Sequence, residues 1–144
     1  MLRWALVGLA AVAFVSTART DEAEKELAKF QGKWSVESIE ENGVKEPDDE
    51  AKKFQITIKG KLFVVNLYGK EESMTIAIDP AKSPKTIDMT PNYGEDKSKT
   101  APGIYELDGD KLRICACPKG ERPKKFTSEK GILVLVLKKA VAER

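Results

Sequence analysis

From residue 33 onward, apolar and polar side chains alternate with a period of two over one short segment after another, the spacing of half-buried strands. Lys33 to Glu41 reads as the first strand, with Trp34, Val36 and Ser38 on one face and Lys33, Ser35 and Glu37 on the other. Asn42-Gly43 is a hairpin signal, and the polar stretch Glu46 to Lys53 suits a helical turn. Phe54, Ile56 and Ile58 then alternate with Gln55, Thr57 and Lys59. Lys59-Gly60-Lys61 turns the chain into Leu62 to Tyr68, which is apolar on both faces. After Gly69-Lys70, Met74, Ile76 and Ile78 alternate with Ser73, Thr75, Ala77 and Asp79. Pro80 to Pro84 reads as a loop, and Thr86 to Thr90 as a strand with Ile87 and Met89 on one face. Pro91 to Pro102 is expected to be the longest loop. Ile104 to Leu107, the tight turn at Asp108-Gly109 and Lys111 to Cys117 read as a hairpin. Pro118 to Pro123 is a polar loop, and Phe126 starts an irregular segment. Gly131 leads into the aliphatic run Ile132 to Leu137, short enough to be a buried strand.

Ahead of the strands, Asp21 to Phe30 is predicted as a short helix, with Leu27 and Phe30 as i, i+3 neighbours and Gly32 as its stop. About eight strands joined by short connections, without crossover helices, imply antiparallel pairing. Closing such a sheet on itself removes its edges. The expected fold is therefore all-β: a roughly eight-stranded antiparallel up-and-down barrel with a short N-terminal helix. A barrel of this size is either filled by side chains or holds one small ligand.

The first eighteen residues change the picture of where the chain acts. Arg3 is followed by an unbroken apolar run from Trp4 to Val15 and then by Ser16-Thr17-Ala18. That order of charge, apolar segment and small residues is the pattern of a secretory signal peptide. The run is shorter than the roughly 20 residues a membrane span needs. Residues 1–18 are thus expected to be a cleaved signal peptide and 19–144 a single exported domain, periplasmic or extracellular, with no membrane anchor after cleavage. A domain of that size builds one core without disulfide staples. The formal net charge is +2 with both signs interspersed, so no basic face points to nucleic acid.

At Gln31-Gly32-Lys33-Trp34 the chain resembles the Gly-x-Trp signature of lipocalins, placed after a short helix and at the start of a first strand. Leu27 to Val36 (LAKFQGKWSV), Thr86 to Pro91 (TIDMTP), Gly103 to Cys115 (GIYELDGDKLRIC) and Leu133 to Lys138 (LVLVLK) follow in order. Together they resemble a family of small exported lipocalin-like domains of unknown function, found mainly in planctomycete bacteria. The likeness spans about Leu27 to Lys138, and GIYELDGDKLRIC is its most specific piece. It implies a lipocalin-like β-barrel or half-barrel and no particular activity. It also implies a structural role for Gly32 and Trp34, with Arg113 as the late-strand arginine that covers the tryptophan.

Candidate chemistry is sparse. The chain has no histidine, which excludes His-dependent nucleophiles and His-ligated metals. Neither a Ser-x-x-Lys sequence nor a Gly-rich phosphate loop is present. The acidic groups Glu40-Glu41, Asp48-Asp49-Glu50 and Glu71-Glu72 fall at turns and strand ends, where carboxylates are solvated. Asp108-Gly109-Asp110 lacks the further ligands of a calcium loop and reads as a turn. Lys124-Lys125 and Lys138-Lys139 read as solvated pairs. Cys115 and Cys117 form the one thiol pair; packing in the barrel wall, a strained redox-active bridge and a metal site shared with a second chain all suit that spacing.

No enzyme activity, metal or cofactor is expected on these grounds. Two functional classes remain. In the first, the barrel holds a small apolar ligand against Phe63, Val65, Tyr105 and Leu107. In the second, a filled barrel acts as a structural or protein-interaction module of the cell envelope, with Pro91 to Pro102 meeting a protein partner. An apolar cavity of roughly 300 Å³ or more, open to solvent, separates the first from the second.

Overall fold

The computed structural model describes residues 11–95 and 97–140, with side chains from Asp21 onward. Most of the expected apolar leader, residues 1–10, lies outside the described residues. Helix α1 (Ala11–Phe30) runs back beyond the predicted Asp21 and through the expected cleavage point at Ala18. Strand β1 (Gly32–Glu41) follows after a single residue, then the short β2 (Val44–Lys45) and the turn of helix α2 (Asp48–Ala51). The remaining strands are β3 (Phe54–Lys59), β4 (Leu62–Leu67), β5 (Lys70–Asp79), β6 (Thr86–Pro91), β7 (Ala101–Asp108), β8 (Lys111–Ala116) and β9 (Leu133–Lys139).

Every strand pairs antiparallel with its neighbours, and β9 returns to pair with β1 from Trp34↔Lys139 to Glu41↔Leu133. Strands β1 and β3 to β9 thus close an eight-stranded up-and-down barrel, as the alternating pattern predicts. β1 pairs with β3 only over Gly32 to Ser35; beyond that it leaves β3 and turns into β2. Helix α2 packs against β1, with Ala51 fully buried.

The barrel ends differ. At one end, α1 lies across the opening and presses Phe30 into the interior. Gly32 makes the sharp passage from helix to strand with φ +117°, a conformation open to glycine and strained for other residues. Phe30, Trp34, Ile58, Phe63, Tyr105 and Leu112 fill this end. Trp34 Nε1 donates to the Phe30 carbonyl at 2.7 Å, tying helix to strand, and the Phe30 and Tyr105 rings meet edge to face, centroids 5.2 Å apart.

Three details depart from the pattern. A bulge between Val36 and Ser38 shifts the β1 phase, so that Ile39 rather than Ser38 packs on the core. Arg113 does not cover Trp34: it pairs with Glu106 at 2.7 Å and stacks over Phe126, 4.6 Å from the ring centroid, on the outside of the barrel. The cation over Trp34 is Lys139, at 5.6 Å, so the Lys138-Lys139 pair is not simply solvated.

The longest connection is residues 117–132 rather than the segment from Pro91 to Pro102, part of which is strand. It folds back over the outer wall and forms a second, small core from Ile104, Cys115 and Val134 with Phe126 and Ile132. Arg122 pins it, donating to the Gly103 carbonyl and to the Asp88 carboxylate, both at 2.8 Å. Its far end is held to the β1–β2 turn, where Gly131 N donates to Asn42 Oδ1 and Gly43 N to Ser128 Oγ.

Candidate functional site

The inward faces of β5 to β9 carry different residues at the two ends of the barrel. Toward the helix-plugged end they present Tyr105, Leu112, Ile87 and Leu137, which are fully buried in the same core as Phe30 and Trp34. Toward the other end they present Met74, Met89, Ala101, Ile114, Ala116 and Leu135, and these enclose a cavity of about 390 Å³. Its mouth is formed by Pro91, Tyr93, Lys99, Pro118, Lys119 and Leu133, from the starts and ends of the strands and the two long loops. A volume of this size lies in the range of small-molecule sites. Two alanines and two unbranched methionines leave the space that larger side chains occupy at the plugged end.

The walls are apolar, and the lysines stand at the rim. Met89, Ile114 and Ala116 are buried, whereas Lys99 and Lys119 are exposed. The rim is held in place by hydrogen bonds outside the cavity. Asn92 contacts Ser73 and Thr75, and Thr90 Oγ1 meets Thr100 Oγ1 at 2.8 Å. Cys117 N donates to the Pro102 carbonyl at 2.9 Å, fixing the point at which the chain leaves β8.

The four residues expected to grip a ligand are placed otherwise. Phe63 and Tyr105 are fully buried in the filled half, and Val65 and Leu107 pack on that same core. They face the interior as the alternation requires, but none of them lines the cavity. The period-two pattern selects the correct face of each strand without showing which end is hollow. The signal that does so is the size of the inward residues, small or flexible at one end and bulky at the other.

Cys115 points away from the cavity into the second core, its thiol donating to the Lys125 carbonyl at 3.4 Å. Burial pushes this thiol above its ordinary value. Cys117 is half-buried beyond the strand end, and both cysteines are free. Among the described residues no cluster of three or more potential metal ligands occurs, and no helix is long and apolar enough to cross a membrane.

A polar site that sequence alone does not reveal lies at the plugged end. Glu26 of α1 is only 6% exposed. Its Oε2 accepts from Lys85 Nζ at 2.7 Å and from the Tyr105 hydroxyl at 2.8 Å, with Lys29 3.6 Å from Oε1. Burial pushes its carboxyl up, but the hydrogen bonds from Lys85 and Tyr105, with the charges of Lys85 and Lys29, outweigh burial and hold it below the ordinary value. Burial and the Glu26 contact together raise Tyr105 strongly, so it stays a neutral donor. The group is a clamp between helix and barrel, its members partnered with one another across the two elements.

Comparison with protein-family models, with curated proteins and with solved structures finds no match to this chain. The class is therefore defined by architecture: an all-β, lipocalin-like barrel, closed by eight antiparallel strands, plugged by a helix at one end and hollow at the other.

Proposed function

We propose that this chain is an exported, non-enzymatic binding domain of the small lipocalin-like family it resembles, and that it holds a small apolar or amphipathic molecule in the open end of its barrel. The observation that carries the reading is the cavity of about 390 Å³, with apolar walls and a mouth at the solvent. Close packing is the rule in protein interiors. A pocket of this size, in a barrel whose other half is filled, holds apolar wall against water that a ligand would bury. Ligand sites of this kind need few polar groups, which agrees with the sparse chemistry of the sequence. Export rests on the leader pattern, in which a basic start, an apolar run and Ser16-Thr17-Ala18 precede the folded domain. The absence of histidine and of any phosphate loop or nucleophile–base motif in the sequence argues for binding rather than catalysis.

Native and denaturing mass spectra of protein purified from its own source, without detergent, test the reading. The expected result is a chain beginning at Arg19, with a native mass exceeding the denatured mass by one discrete small-molecule increment. A bare chain in both spectra would point instead to an interaction module, with a protein as the occupant of the open face.

A further inference from the structure

The two cysteines stand where the second core meets the mouth of the cavity. Along β8, Ile114 and Ala116 line the cavity, and Cys115 between them packs in the second core. Cys117 N donates to the Pro102 carbonyl, next to the Gly103↔Ala116 pair, so the β7–β8 ladder runs one residue past the strand. Continued alternation gives Cys117 the same side of the wall as Cys115. The thiols are near enough that a negative charge on Cys117 disfavours a second one on Cys115. Both are free: Cys117 is half-buried, and Cys115 is buried with its thiol on the Lys125 carbonyl.

The next residues are the lip of the cavity. Pro118 and Lys119 line its mouth and the adjoining depression. The lip curls around the Cys117 sulfur, since a Cβ on Gly120 would stand 2.9 Å from Sγ. Moving this sulfur therefore moves the lip. In an extended chain, residues i and i+2 have Cα atoms about 6.6–7 Å apart, whereas a disulfide holds them at about 4.4–6.8 Å. A bridge between the two cysteines thus requires the chain to fold toward the outer wall, which carries Pro118 and Lys119 away from the mouth. Bridges formed under strain are the readily reduced ones.

Resting on the binding reading above, we propose that Cys115 and Cys117 are a redox switch on the cavity: exchange with a small or protein disulfide joins them, and the bridge draws the lip outward and weakens ligand binding. The more accessible thiol acts first. The Cys117 thiolate attacks the partner disulfide, forms a mixed disulfide and releases one partner thiolate. The Cys115 thiolate, freed from the Lys125 carbonyl, then attacks the Cys117 sulfur and releases the second. The cysteines lose two electrons and two protons, and the partner disulfide gains them as two thiols. The coupling is reciprocal: a ligand that binds the reduced form about tenfold better makes the bridge easier to reduce by the same factor, which raises its potential by about 30 mV.

Glutathione disulfide as oxidant and 1-decanol as ligand probe test the switch. The protein is equilibrated in glutathione buffers with and without 1-decanol, quenched by alkylation and weighed, and 1-decanol is titrated calorimetrically into the reduced and bridged forms. The expected results are a loss of two hydrogens within one chain, 1-decanol binding about tenfold weaker to the bridged form, and a redox midpoint moved by the same factor when 1-decanol is present. Cys117→Ser, treated with the same oxidant, should keep the affinity of the reduced form. A wild type that stops at one glutathione adduct on Cys117, or a bridged form that binds 1-decanol as tightly as the reduced form, would overturn the switch and leave the binding reading standing. If neither form binds 1-decanol although the bridge forms, the binding reading falls and the coupling with it.

Discussion

Glu26 shows how a single side chain couples the helix to the barrel. In sequence it is one of several acids in a charged helical stretch, and nothing local marks it as buried. Its partners lie 59 and 79 residues away, on the far side of the chain. Only closure of the barrel brings Tyr105 and Lys85 to the helix, so the site was not legible from periodicity. Because the folded state holds this carboxyl below its ordinary 4.5, the charged form stabilises the fold. That contribution is fully present above pH 4.5 and is lost as pH falls through the lowered folded value. Urea unfolding of wild type and Glu26→Gln across pH 3 to 7 should show about 1–3 kcal/mol lost by the variant at neutral pH, and a shallower decline below pH 4.5. Parallel curves at all pH values would mean that the Glu26 charge has no role in stability.

At the scale of elements, the alternation of Phe54 to Lys59 and of Met74 to Ile78 translated directly into β3 and β5, because each has one face on the core. The pattern failed where the chain has two cores. Cys115 and Val134 lie in the barrel wall but pack in the second core and are covered by residues 117–132, a segment whose polar composition hides its packing role. Gly103 shows how tightly the wall is built there: a Cβ would stand 2.7 Å from the Cys115 carbonyl and 3.2 Å from the Ala116 side chain. Gly103→Ala should therefore cost about 1–3 kcal/mol by pushing β7 from β8, measured as a fall in the denaturation midpoint. Release of the covering loop is tested separately through its anchor. In the wild type, Cys117 should react with a thiol reagent well before Cys115, which is buried and has a raised pKa. Arg122→Ala removes the contacts to Gly103 and Asp88 and should bring the two rates together. An unchanged ratio would show that the loop is held without Arg122.

The whole molecule is a barrel with one filled half and one hollow half. The closed barrel was legible because successive strands without crossovers leave few other ways to bury their apolar faces. The hollow end was not, because alternation carries no information about depth along the barrel axis. Filling the cavity is the direct structural control. Met74→Trp places a large side chain in existing space, so stability should change by less than about 1.5 kcal/mol while binding of any apolar probe disappears. Retained binding would place the site elsewhere.

The composition provides the most direct test of the central claim. The chain has three methionines; a chain of residues 19–144 carries two of them, Met74 and Met89, and both line the cavity. Methionine methyl labelling of residues 19–144 therefore gives two NMR signals, each a reporter of the proposed site. On titration with 1-decanol both should move together and saturate at one equivalent, while the indole signal of Trp34 in the filled half stays in place. Two methyl signals that do not respond, or an indole signal that shifts as they do, would contradict a ligand site at the open end of this barrel.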